Sequence, residues 1–397
     1  MMARIMRHMK RQFPLIAFLF VLLCSFAAGA ALSQTKSGDP DTSLARRRAQ
    51  HLRHGINMSE WFAQVYDPKG YTKEHFESWN TARDIALIKA MGFDHVRLSV
   101  NPKPMFRNKE ADQIPADYLA ELDVAVKMIL DQGLAVVVDI HPDGEFKQRL
   151  ATDNEFVEQF ADYWRALAQH YSSWNPEMVF FEVLNEPEAR DAYRWYGVQA
   201  RLAVAIREGA PKQTIIVAGA RWSDNDDLVF MEPVRDANVI YNFHFYEPHL
   251  FTHQGATWGE SYWHWLKNVP YPSTPENVKE AAALVPEPEK RLNVTRYGMD
   301  RWNEARMDEE FAQIAAWGEH WNVPLVCNEF GVYRRAARPE DRAAWISDVR
   351  KALEKHGIGW AMWDYSGGFG VVTKPNGEPV PDEMTVKALG LTIPQGR

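Results

Sequence analysis

Eight short apolar runs alternate with helical stripes along this chain, and that alternation restricts its possible folds more than any other feature. The runs are Gly55–Met58, His95–Ser99, Ala135–Ile140, Val179–Leu184, Thr214–Ala218, Val239–Phe243, Pro324–Asn328 and Gly359–Trp363. Runs rich in Val, Ile and Phe, with little polar alternation, fit strands buried on both faces, as in a parallel sheet. Between them, Ile85, Ile88 and Met91 share one helical face and Gly92 stands where such a helix turns off. Tyr118, Leu122, Val126 and Ile129 repeat the pattern ahead of Gly133, and Phe156, Phe160, Trp164 and Leu167 form a third stripe. These stripes are core faces. One unbroken βα alternation over 54–397 predicts a single (β/α)8 TIM barrel of the α/β class rather than two domains. One connection breaks the rhythm: a long loop after strand 6, spanning 247–302. It carries Trp258, Trp263 and Trp265, and Ser273-Thr274-Pro275-Glu276 reads as a capping box.

The N-terminus has a different composition. Arg4, Arg7, Lys10 and Arg11 precede an apolar stretch from Phe13 to Ala31, and Ala28-Gly29-Ala30 offers a small-x-small cleavage motif. Residues 1–33 are therefore expected to be a signal peptide cut near Ala30 or Ser33, with an uncleaved anchor as the alternative. Residues 34–53 read as a disordered leader that ends in the basic run Arg46-Arg47-Arg48. Cleavage at Ser33 removes those four basic residues and no acidic ones, taking the formal net charge from −8 to −12. So acidic a protein is a poor partner for nucleic acid. Of the two cysteines only Cys327 would remain, so no disulfide framework is expected and stability must come from the core. The chain has 15 Trp, 14 Tyr and 20 Phe, enough for a large core with flat rings to spare for a binding groove.

Chemistry concentrates where strands end. Val183-Leu184-Asn185-Glu186-Pro187 and Val326-Cys327-Asn328-Glu329-Phe330-Gly331 each set a glutamate at the exit of an apolar run. Two carboxylates at the mouth of a barrel suit glycosidic hydrolysis, in which one protonates the leaving oxygen and the other attacks or activates water. Arg97, His141, His244, Tyr246 and Trp363 also lie at strand ends, places that packing alone would not select for them.

With these residues in view, the chain resembles the retaining β-glycosidases of glycoside hydrolase family 5, the cellulase family, from His54 to about Leu389. Arg53-His54-Gly55-Ile56-Asn57 is similar to that family's opening strand. Arg97, His141, Asn185, Glu186, His244, Tyr246, Glu329 and Trp363 fill the positions the family uses at its active site. The segment from Phe251 to Trp258 resembles one in bacterial cellulases of the family, including some that also cut mannan. Pro142 departs from the pattern, because many such cellulases carry a second histidine there.

The resemblance implies Glu186 as proton donor and general acid-base, and Glu329 as nucleophile held ionised by Arg97 and Tyr246. Asn185 would bond the sugar 2-hydroxyl, His141 and His244 would bind hydroxyls or position the carboxylates, and Trp363 would floor the sugar whose bond is cut. His253 and Trp222 are further candidates for substrate contact, with Trp258 and Trp61 as possible additions to the stacking platform. His244, His249 and His253 lack the carboxylate or cysteine complement of a recognised metal site, and neither metal nor cofactor is expected. The expected protein is a periplasmic or secreted monomer with a polysaccharide or oligosaccharide substrate and, once the signal is removed, no membrane partner. Its expected activity is endo-β-1,4-glucanase. The alternatives are β-mannan, β-1,3-glucan or a bacterial exopolysaccharide as substrate, or a carbohydrate-binding pseudoenzyme.

Overall fold

The computed structural model describes residues 41–106 and 114–394. Eight parallel strands close into a barrel: β1 His54–Phe62, β2 His95–Val100, β3 Ala135–Ile140, β4 Val179–Glu182, β5 Thr214–Ala218, β6 Val239–Phe245, β7 Leu325–Phe330 and β8 Gly359–Met362. Each pairs with the next, and β8 returns to β1 through His54–Trp360 and Ile56–Met362. The three sequence stripes are buried on helices Ala82–Met91, Ala116–Asp131 and Asn154–Tyr171. Gly92 closes the first of these at φ 103°, a left-handed conformation that costs glycine little.

The barrel interior sorts itself by the two-residue period of a strand. Ala135, Val137, Phe180, Ile216, Ile240 and Val326 form an apolar layer together with Leu52. Two residues further along their strands, the same inward phase delivers Asp139, Glu182, Asn242 and Asn328, all buried. The lower barrel is thus a packed core, and its upper layer is a polar network beneath the strand ends.

Leu52 belongs to the tract expected to be a disordered leader, and that expectation is corrected for its described part. Ser43–Ala49 is a helix. Ala45 is buried, and Arg48, only 4% exposed, donates to Glu177 Oε1 at 2.9 Å, to the Thr214 hydroxyl at 3.2 Å and to the Lys212 carbonyl. The basic run looks solvated on local composition alone, but its partners lie about 130 and 165 positions away. Arg48→Ala is expected to cost about 2 kcal/mol in chemical denaturation while leaving turnover unchanged, since it removes charge-assisted bonds at the end of the barrel away from the polar layer. The signal-peptide reading of 1–33, and the leader up to residue 40, lie outside the described residues. Among the described residues no helix is long and apolar enough to cross a membrane.

The long connection after β6 is folded. It includes helices His249–Thr252, Lys279–Leu284 and Pro288–Asp300 and buries Trp263, Tyr271 and Tyr297. Its reciprocal cap is shifted by one residue from the expected Ser273–Glu276 box. The Thr274 amide donates to Asn277 Oδ1 at 2.8 Å, and the Asn277 amide donates to Thr274 Oγ1 at 3.2 Å. Ser273 is engaged elsewhere, donating to the Tyr297 carbonyl and accepting from the Trp302 amide.

Candidate active site

Arg97 anchors the polar layer. It is fully buried on β2, and its guanidinium forks onto Glu182 of β4, Nε to Oε2 and Nη2 to Oε1, both at 2.8 Å. Nη2 also donates to Asn185 Oδ1 at 2.9 Å and lies 3.1 Å from Asp139 Oδ2. Nη1 donates to Asn57 Oδ1 at 2.9 Å and to Glu329 Oε1 at 2.6 Å. A buried guanidinium needs this degree of pairing, and the surrounding carboxylates hold Arg97 well above its ordinary range against the opposing effect of burial.

Glu329, near the end of β7, therefore receives one charged donor on Oε1. Its Oε2 accepts the Tyr246 hydroxyl at 2.9 Å. Burial, with Glu329 alongside, keeps that phenol protonated by pushing it well above its usual range. Glu186 sits just past β4 on backbone with φ 45°, a left-handed conformation that costs a non-glycine residue energy and aims the side chain across the barrel mouth. His244 Nδ1 lies 3.1 Å from Glu186 Oε1 and 3.5 Å from Glu329 Oε2. Burial pushes this imidazole down to about 4, so at neutral pH its ring is uncharged and its Nδ1 proton faces both carboxylates.

A second chain of bonds orients Asn185. His141 Nδ1 faces Asp139 Oδ2 at 2.9 Å, and His141 Nε2 lies 3.0 Å from Asn185 Nδ2. Burial pushes His141 down to about 3, so the neutral ring donates through Nδ1 and accepts through Nε2. With Arg97 on its oxygen and His141 on its nitrogen, the Asn185 amide has one orientation. The Trp363 ring stacks on His141 at 5.7 Å and 20°, half-buried at the barrel mouth.

All eight residues read from the sequence as strand-end residues thus meet at one end of the barrel, although Arg97 stands in the middle of β2, level with Asn57, and reaches that end through its long side chain. The outer aromatics lie beyond them. Trp222 is 57% exposed at φ 50°, and its amide donates to the Pro187 carbonyl at 2.8 Å, beside Glu186. His253 packs edge-on to Tyr246 at 5.2 Å, and Trp258, 48% exposed, is edge-on to Tyr333 at 4.9 Å. Trp61 does not join them. It is buried, with its indole N–H on the Phe76 carbonyl, and is a packing residue.

Ligand atoms of Glu186, His244 and Glu329 lie within 4.8 Å of one another, a spacing that could admit a cation. The donor set fits one poorly, because both Glu329 oxygens already carry donors and the neighbouring charge is the Arg97 guanidinium. His249 is turned away into a ring stack with His253 and Trp263.

Strand-end reading missed Asn57, Asp139, Glu182, Asn242 and Asn328, which lie within strands. A signal for them was present: counting by twos from Val137, Phe180, Ile240 and Val326 lands on four of the five.

The chain matches the model of the cellulase family, glycosyl hydrolase family 5, over residues 57–368. It is 30% identical over 339 residues to Endoglucanase C of Acetivibrio thermocellus, a match covering 84% of this chain and 96% of that protein. Among solved structures it is similar to Thermotoga maritima Cel5A in complex with cellobiose, with a TM-score of 0.71 at 26% identity, covering 87% of this chain and 99% of that one. The same enzyme in complex with mannotriose aligns with a TM-score of 0.70 at 26% identity and the same coverage.

Proposed function

The chain belongs to the cellulase family, glycosyl hydrolase family 5, and on that premise we propose that it is an exported endo-β-1,4-glucanase acting by double displacement with retention. The observation that carries this reading is the approach of the Glu186 and Glu329 carboxylate oxygens to within 4.8 Å. Retaining pairs stand about 5–5.5 Å apart, whereas inverting pairs need about 6.5–9.5 Å to admit a water between them.

In the first step a Glu329 oxygen attacks the anomeric carbon as its bond to the leaving oxygen breaks. Glu186 gives its proton to that oxygen, and the shortened chain leaves as an alcohol. In the second step water attacks the same carbon and the ester bond to Glu329 breaks. The water's proton passes to Glu186, restoring both groups. Asymmetric surroundings support the assignment. Glu329 is held between Arg97 and Tyr246, as an anionic nucleophile requires, while Glu186 has the neutral His244 as its hydrogen-bond partner, the Glu329 carboxylate nearby and about a quarter of its side chain open to solvent. Asn185, fixed through Arg97 and His141, is oriented for the 2-hydroxyl, and Trp363 offers a floor.

Trp222 is joined through its backbone to the residue after the proton donor, which suits a platform on the leaving-group side. The folded connection with Trp258 flanks the other carboxylate through His253 and Tyr246. Rings outside the reacting centre favour cleavage within a polymer. The basic-then-apolar N-terminus supports export.

Two measurements test the proposal. Proton NMR of early product should show the β-anomer first, and an α-anomer first would make the enzyme inverting. On soluble β-1,4-glucan, viscosity should fall well before reducing sugar accumulates. Cellobiose from the outset with viscosity unchanged would defeat the endo reading. The likeness to a mannotriose complex makes β-mannan the second reading, and faster release from mannan than from glucan would select it.

A further inference from the structure

Glu182 is the one carboxylate of the polar layer whose every acceptor position is used. Oε1 accepts from Arg97 Nη2 at 2.8 Å and Asn242 Nδ2 at 3.1 Å, and Oε2 accepts from Arg97 Nε at 2.8 Å and Asn328 Nδ2 at 2.7 Å. The Asn242 amide cannot turn over, because its Oδ1 accepts the Asn328 backbone N–H at 3.0 Å. A proton on Glu182 Oε1 would therefore meet only N–H donors, whereas Oε2 faces Arg97 Nε and the Asn328 amide, whose Oδ1 has no partner among the described residues. Burial raises this carboxyl although Arg97 pulls it down, and the guanidinium fork together with the fixed Asn242 amide favours the anion at the pH of activity.

The same fork fixes what Arg97 presents to Glu329. With Nε and one Nη2 proton committed to Glu182, the Nη1 edge remains for Glu329 and Asn57. Glu182 does two things at once: it orients the guanidinium, and it offsets a positive charge that would otherwise act fully on Glu329.

We infer that Glu182 is a positioning residue that keeps Glu329 basic enough to attack, by sharing Arg97 with it. This rests on Glu329 being the nucleophile of a double displacement. The charged and titratable groups facing the Glu182–Arg97 pair are Asp139 from β3, His141 just past it, His244 from β6, Tyr246 just past it and Glu329 from β7. Asn57, Asn185, Asn242 and Asn328 complete the surroundings and carry no charge.

A nucleophile made less basic attacks more slowly and leaves more readily, so loss of the Glu182 charge moves the two half-reactions in opposite directions. In Glu182→Gln, formation of the glycosyl-enzyme from a 2-deoxy-2-fluoro glycoside should slow about 10- to 100-fold. Release of the trapped sugar to water should become several-fold faster, and the acid limb of kcat/KM on an activated aryl glycoside should move down by about one pH unit. Glu182→Asp keeps the charge and should keep the limb in place even if rates fall. A purely structural role slows both half-reactions and leaves the limb unmoved, and that result overturns the inference.

The two readings fail separately. If the label never attaches to Glu329 in the unaltered enzyme, it is the double-displacement reading that falls. Should Glu182→Gln not fold, carboxyl carbon-13 spectra of glutamate-labelled enzyme carry the test instead. The glutamate carboxyl signal assigned to Glu182 by its disappearance in Glu182→Asp must stay ionised at the pH where activity has been lost on the acid side, and a signal that has become protonated there overturns the inference.

Discussion

Replacing Glu329 by alanine is expected to lower polysaccharide turnover by about 10⁴-fold or more, because in the proposed double displacement this carboxylate forms the covalent bond to the anomeric carbon. Glu186→Ala should behave differently in a way that depends on the leaving group. On polysaccharide the loss should be about 10²- to 10⁴-fold, the usual value of a positioned general acid. On an aryl glycoside with an acidic phenol the first step should be nearly intact, since that phenolate departs without a proton. The second step still needs a base, so glycosyl-enzyme should accumulate as a burst. Azide, which requires no deprotonation, should relieve this block and give a β-glycosyl azide. The same azide added to Glu329→Ala attacks from the vacated side and cannot give the β-product. Identical losses on both substrate types, or β-azide from both variants, would exchange or abolish the roles assigned here.

The residues in these predictions were legible in the sequence because a strand buried on both faces has no packing use for a charged side chain at its exit. Glu186, Glu329 and His141 each close an apolar run and Arg97 interrupts one, and the barrel topology then brings strand exits to one end. Glu182 was not legible in the same way. It lies inside the apolar run Val179–Leu184, two residues from its end, and reading that run as unbroken hides it, whereas the inward phase shared with Phe180 exposes it. The Ser43–Ala49 helix was illegible for a different reason. Nothing within the tract itself pays for its order; the stabilisation comes from Glu177, Lys212 and Thr214, far along the chain. Local composition reports disorder reliably only when no distant surface is waiting for the segment.

Arg97 is where stability and activity meet most directly, and its replacement should show both. Arg97→Leu leaves Glu182, Asp139 and Glu329 buried without their shared cation, and breaking a buried charge cluster from one side costs about 3–5 kcal/mol. Arg97→Lys keeps one charge but offers three donors in place of five, and an ammonium cannot span Glu182 and Glu329 together, so turnover should still fall about 10²-fold or more. The pH dependence has a definite sign. Burial already raises Asp139, to about 6, and Glu182, with Arg97 holding both down. Without Arg97 they rise further, so the folded variant binds protons that neither the unfolded chain nor the unaltered fold binds at the same pH. Stability attached to a raised pKa is present at low pH and lost as pH rises through the folded value. The deficit of Arg97→Leu against the unaltered protein should therefore be largest at neutral to alkaline pH and should shrink in acid. Urea unfolding of both proteins at pH 5 and pH 8 measures it. A deficit that is the same at both pH values, or below about 1 kcal/mol, would mean that the three carboxylates do not depend on Arg97 for their charge.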